Sequence, residues 1–195
     1  PKKIKIIGDK SLSKRDFSRV TIPLEKFGAK FFFKKKNRLP LSILGTQSAK
    51  GINYLENKGS AQCKSSVMFA ALNASGTTSI KAKKSRNHSE LLFKYLKIPI
   101  KVKKIKKFDI IDIKRPKKIN SFNYQIPGDI SSSAFFIVLT VLAKDSKLLI
   151  KNVNINLSRI GVITILKKMG AQIKLKNQRN YRGEKISDIL IKSSK

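Results

Sequence analysis

The chain has 195 residues and 41% hydrophobic content, enough for one large domain or two small ones with ordinary cores. Lys and Arg total 44 against 11 Asp and Glu, a formal net charge of +33. That charge implies anionic partners (nucleic acid, acidic lipid or small phosphorylated substrates) or a generally solvated cationic surface. A single cysteine, Cys63, and a single histidine, His88, exclude a disulfide framework and a Cys/His zinc site within one chain. The longest apolar stretch, AFFIVLTVLA at 134–143, is too short to span a bilayer and no signal-peptide layout opens the chain, so a cytoplasmic protein with no membrane partner is expected.

Pro1 is followed at once by the strand pattern KKIKII, so the chain reads as a piece cut from something longer. The next stretch, GDKSLSKRDFSRV, predicts a helix over 14–27. Ser13 and Asp16 form a capping-box-like start, Arg15 lies in the first turn, and Arg19 follows one turn later. An arginine at a helix start works against the dipole, which leaves room for an anion that holds it there. Short apolar runs then predict strands at KFFF (30–33) and LSIL (41–44).

The corner GSAQCKSS, 59–66, opens a helix over 61–73. Ser60 reads as its cap, and the remaining backbone donors and the positive end of the dipole face outward, where an anion can be received. Ala61 leaves the approach open, and Gln62 offers both a donor and an acceptor. Ordinary capping explains Ser60 on its own, and residue chemistry alone favours capping over ligand binding.

A strand at TSIKA (78–82) leads to SRNHSE, where Asn87 and Glu90 resemble a second capping box before a helix over 88–97. Arg86 beside that helix start could clamp a phosphate bidentately or lie on a solvated loop. His88 has no acid/base partner nearby in sequence, and a packing or surface role is expected. Strands follow at IPIKV (98–102) and FDIIDI (108–113). PGDISSSAFF then supplies a turn at Gly128, a cap at Asp129 and a helix over 131–143. KLLIKN (147–152), AQIKL (171–175) and DILIK (188–192) complete the strands, with a helix over 158–169. Alternate lysines, as in IKVKKIKK, fit sheets with one solvated face rather than the clustered basic stripe of a nucleic-acid groove.

Strands alternating with helices indicate an α/β or α+β fold, and the chain also repeats itself at roughly seventy residues, longer than solenoid periods. Residues 59–83 lie over 128–152 and 85–102 over 157–175, while 13–33 gives a partial third copy. Each copy reads as helix, strand, helix, strand, strand.

GDKSLSKRDFSRVTIPLEKFGA, LPLSILG, GSAQCKSSVMFAALNASGTTSI, SRNHSE, IPGDISSSAFF and NLSRIGVITILKKMGA stand in an order and spacing that closely resemble the 5-enolpyruvylshikimate-3-phosphate synthase family. The resemblance runs over essentially the whole chain. It implies the enolpyruvyl transferase fold, a two-lobed inside-out α/β barrel of repeated units. Residues 1–127 would then lie in the first lobe and 128–195 form one unit of the second. The implied reaction joins the 5-hydroxyl of shikimate 3-phosphate to phosphoenolpyruvate and releases phosphate by addition then elimination, without metal or cofactor. Family members are about twice this length and usually monomeric. By the same resemblance, Ser60, Ala61, Gln62, Ser85 and Arg86 look like shikimate-3-phosphate contacts, and Arg15 and Gln62 like phosphoenolpyruvate contacts. The family's catalytic acid, base and lysine positions fall outside these residues.

The SAQ form, with SRNH and NLSRIG, looks more like the glyphosate-tolerant branch. One departure is Asp16, where the family usually has proline, and its carboxylate could compete for the Arg15 guanidinium. A UDP-N-acetylglucosamine enolpyruvyl transferase would share the fold but typically carries a reactive cysteine in the loop matching GDKSLSKR, where this chain has none. A basic nucleic-acid-binding protein is the rival from another class, motivated by the charge alone.

Overall fold

The computed structural model describes residues 3–194. By its contacts the chain divides into two compact units. One holds the residues up to Ser85 together with Leu96–Ile119, and the other Arg86–Tyr95 together with the residues from Asn120 onward.

The first unit contains two sheets. Strands β1 (Lys3–Ile6), β2 (Lys30–Lys35) and β3 (Arg38–Leu44) form an antiparallel sheet in the order β1-β3-β2, with helix α1 (Ser18–Glu25) between the first two strands in sequence. Strands β4 (Asn53–Glu56), β5 (Thr77–Lys83), β6 (Ile100–Lys104) and β7 (Phe108–Lys114) form the second, in the order β4-β5-β7-β6. Its β4–β5 pair is parallel and the others are antiparallel. Helix α2 (Ala61–Ala71) connects β4 to β5 and packs on β4, β5, β7 and α1.

Strict alternation explains how this sheet finds its face. Thr78, Ile80 and Ala82 of β5 are buried while Lys81 and Lys83 are exposed. With Ile111 and Ile113 of β7, these residues meet Val67, Met68 and Ala71 of α2 in the core. Each such large apolar side chain stabilises by about 1.5–3 kcal/mol on burial.

In the second unit, β8 (Lys147–Asn154), β9 (Ile173–Tyr181) and β10 (Glu184–Lys192) form an antiparallel sheet in the order β8-β10-β9. Helices α3 (His88–Tyr95), α4 (Ile130–Leu142) and α5 (Gly161–Lys168) complete it. The core joins Ile130 and Ile137 of α4, Ile163 of α5, and Val153, Ile173, Ile189 and Ile191 of the sheet. Among the described residues, no helix is long and apolar enough to cross a membrane.

The repeat read from the sequence has a structural counterpart. In β1-β3-β2, β5-β7-β6 and β8-β10-β9 alike, the last strand lies between the first two. The series helix, strand, helix, strand, strand occurs as α2, β5, α3, β6, β7 and again as α4, β8, α5, β9, β10.

Two elements differ from expectation. Strand β4 carries no strand pattern in the sequence, because NYLE is a short run without β-branched residues; its pairing is fixed by the neighbouring β5. The helix expected over 14–27 begins only at Ser18. Upstream, Leu12–Lys14 form a single 3-10 turn, capped when Asp9 Oδ1 accepts from the Leu12 N–H at 2.6 Å. Ser13 and Asp16 therefore make no capping box, and Arg15 follows the turn with an extended backbone rather than lying in a helical first turn.

Candidate functional site

Strands β4 and β5 run parallel, with Glu56 opposite Ala82. The segments leaving their carboxyl ends, 57–60 and 84–85, therefore start side by side. Side chains are restricted at both ends of this pair, by backbone proximity at Gly51 and by backbone conformation at Gly59. A Cβ on Gly51 would come within 2.2 Å of the Thr77 carbonyl oxygen. Gly59 lies over the Lys84 carbonyl with φ +70°, a conformation that favours glycine. Crevices outside the carboxyl ends of parallel strands are where α/β sheets commonly bind ligands.

Ser60 follows in an extended conformation (φ −87°, ψ 109°), and its Oγ accepts from the Cys63 N–H at 3.3 Å, as an N-cap should. The N–H groups of Ala61 and Gln62, in the first turn of α2, have no intrahelical acceptor by helix geometry. Gln62 is exposed, whereas Cys63 is buried and packs into the core. Because the Ser60 oxygen accepts from within, its own hydroxyl proton is available to an incoming oxygen.

Glu56 completes this corner, and no motif in the sequence singles it out. Its carboxylate accepts from Lys58 N and Ser60 N through Oε1, each at 3.0 Å, and from Gly59 N through Oε2 at 2.9 Å. The one signal the sequence offers is a lone acid three residues before a Gly-Ser pair in a lysine-rich stretch.

Of the expected site residues, the structure brings Ser60, Ala61, Gln62 and Ser85 to this one strand edge. Ser85 Oγ is buried and has no hydrogen-bond partner. Arg86 opens the second unit and is exposed. Arg15 is exposed in the loop before α1, and among the described residues no side chain pairs with its guanidinium. Asp16 does not compete for it. Asp16 Oδ1 accepts from the Ser18 N–H at 2.6 Å, and the Ser18 hydroxyl first, then that backbone bond, with smaller contributions from Asn37 and Arg19, hold its carboxyl below the ordinary aspartate value.

The second unit holds a polar cluster that sequence proximity could not reveal. His88 Nδ1 lies 2.5 Å from Glu184 Oε1, 96 positions away. Asn156 Nδ2 donates to Glu184 Oε2 at 3.2 Å and to Asn87 Oδ1 at 2.8 Å. Burial pushes the Glu184 carboxyl up, but hydrogen bonds from His88, Asn154 and Asn156 and the His88 charge outweigh it and leave the group below its ordinary value. The cluster ties the start of α3 to β10. Among the described residues, no three His, Cys, Asp or Glu side chains are placed to hold a metal ion.

Small antiparallel sheets of one strand order, recurring with capped helices, define an α/β protein of repeated units with anion-receptive backbone at a parallel strand edge. The family model for EPSP synthase (3-phosphoshikimate 1-carboxyvinyltransferase) matches residues 1–193, and the chain belongs to that family. It is 41% identical over 191 residues to the 3-phosphoshikimate 1-carboxyvinyltransferase of Caldicellulosiruptor bescii, covering 97% of this chain and 44% of that protein. It is 42% identical over 193 residues to that of Endomicrobium trichonymphae, covering 97% and 43%. The solved EPSP synthase from Acinetobacter baumannii superposes with a TM-score of 0.82 at 38% identity, over 98% of this chain and 43% of that one. The chain thus spans less than half the length of the curated relatives it matches.

Proposed function

We propose that this chain provides the shikimate-3-phosphate corner, and one phosphoenolpyruvate contact, of an enzyme that transfers the enolpyruvyl group of phosphoenolpyruvate to the 5-hydroxyl of shikimate 3-phosphate with release of phosphate. The observation that carries this reading is the strand-edge corner, where two outward N–H groups of α2, the Ser60 hydroxyl and the unpartnered Ser85 hydroxyl stand together. Such donors suit a phosphate or a ring hydroxyl, and the dipole of α2 favours the negative charge. Ala61 leaves space for a ring to approach, and Gln62 reaches either substrate. Arg86 and Arg15 add guanidinium groups that can hold a phosphate or carboxylate bidentately. Nothing in this residue set moves a proton, so its part is to bind and orient, and proton transfer falls to residues elsewhere in a protein of family length.

The same reading assigns residues 1–127 to a first lobe and 128–195 to one unit of a second. Its support is local: Gly128 bridges Val153 of β8 in parallel and leads into α4, as β4 runs beside β5 and leads into α2.

Titration of the chain with shikimate 3-phosphate, followed by amide NMR, tests the reading. The signals of Ala61 and Gln62 should shift saturably, and Gln62→Ala should weaken binding about tenfold, the worth of one charge-assisted hydrogen bond. Salt-sensitive binding of nucleic acid, with no response to shikimate 3-phosphate, would overturn it in favour of the polyanion-binding rival.

A further inference from the structure

Glu56 ends β4 with its side chain directed inward and only 2% exposed, although the next residues, Asn57 and Lys58, are exposed. A carboxylate is rarely buried to this degree without hydrogen-bond partners, and among the described residues those of Glu56 are backbone N–H groups of the loop that follows. Three successive donors, from Lys58, Gly59 and Ser60, converge on its two oxygens. Successive backbone N–H groups in a turn with a left-handed residue form an anion-binding concavity. Gly59 at φ +70° supplies that residue, so the 58–60 loop is such a concavity, filled from within the chain.

We infer that Glu56 is a positioning residue: as an internal anion in the 58–60 nest, it fixes Ser60 and directs any external phosphate onward to the N–H groups of Ala61 and Gln62. The role rests on the proposed function for its substrate, but not for its geometry. β4 holds the Glu56 backbone through its parallel ladder with β5, so the carboxylate is mounted on a rigid element. Ser60 N is one of its ligands, and the Ser60 side chain caps α2 through Cys63 N. A single carboxylate thereby ties the ladder to the first turn of the helix. Without it, the three loop donors would lie open beside those of α2, and a phosphate would have two neighbouring places to settle.

The test compares the full chain with Glu56→Ala and Glu56→Gln by amide NMR, using inorganic phosphate and shikimate 3-phosphate in turn. In the parent chain, phosphate should shift Ala61 and Gln62, with Ser60 moved only through its hydroxyl contact, and leave Lys58 and Gly59 unmoved. In Glu56→Ala the vacated nest should take phosphate, and the 58–60 signals should become the ones that respond. Glu56→Gln keeps the shape and one accepting oxygen but sets its amide against the Gly59 N–H, so shikimate 3-phosphate affinity should fall about tenfold. It also serves if the alanine variant fails to fold. The inference is overturned if either folded variant merely melts lower, with the 60–62 response and ligand affinity of the parent and with Lys58 and Gly59 still silent. Should shikimate 3-phosphate leave the parent unmoved while phosphate shifts 58–60 in the variants, the functional reading fails and the nest assignment stands.

Discussion

Glu184 shows how much of this molecule depends on residues distant in sequence. Its carboxylate is buried and draws on His88, Asn154 and Asn156, which together more than offset the cost of burial. A carboxyl depressed in the folded state stabilises the fold fully above its unfolded value, and the contribution is lost as pH falls through the folded value. The stability of the unit should therefore decline as pH drops below about 4.5, the ordinary glutamate value. Glu184→Gln should cost about 1.5 kcal/mol at neutral pH, at the low end for a charged hydrogen bond because His88 is one-third exposed. Urea melts of both proteins at pH 7 and at pH 3 check the sign, because the difference should shrink in acid. An undiminished gap at pH 3 would assign the loss to packing instead of charge.

At the level of elements, the repeat places two caps at equivalent positions, Gly59-Ser60 before α2 and Gly128-Asp129 before α4. Asp129 Oδ2 accepts from both Ser132 N and Ser132 Oγ at 3.1 Å, and Arg159 pairs with Oδ1 at 2.8 Å. Asp129→Ala should destabilise by about 1 kcal/mol in chemical denaturation, most of it the cap, because the ion pair is partly open to solvent, its Asp129 side chain 43% exposed, and adds less. Asp129→Asn keeps a capping oxygen and should recover most of that loss. A full loss in the asparagine variant would instead show that the Arg159 ion pair stabilises more than the cap does. These caps were legible in the sequence because capping is local: a short polar residue, a glycine before it and an apolar run after it suffice. The same locality misled at Ser13 and Asp16, where the pattern of a capping box was present but Asp9 and Asp16 each bound a nearer N–H. Strand β4 was illegible for the opposite reason, since its four residues become a strand only beside β5. Likewise, neither Glu56 closing on the loop after it nor His88 reaching Glu184 leaves a periodic trace in the sequence, and only the fold brings those groups together.

For the whole chain, the decisive balance lies between charge and apolar surface. A net charge of +33 opposes self-association through repulsion, more weakly as salt screens it. Against it stands α4, which buries Ile130, Ser133, Ile137 and Thr140 on one side and leaves Phe135, Phe136, Leu139 and Leu142 at 79%, 59%, 63% and 78% exposure. Four large apolar residues at helical spacing make a contiguous stripe, and stripes of this kind are uncommon on soluble monomers. The two effects respond oppositely to ionic strength, because screening removes the repulsion and leaves the hydrophobic attraction intact. Sedimentation velocity on this 195-residue chain should accordingly show association that grows from low to physiological salt. Phe135→Ser with Leu142→Ser should return the chain to monomer at both salts without loss of stability, since neither side chain is in the core. If association instead fell as salt rose, the attraction would be electrostatic and the α4 stripe would not be its source. Persistence of association in the double variant would equally place the contact elsewhere, with the exposed Ile165 and Met169 of the neighbouring α5 region the next surface to substitute.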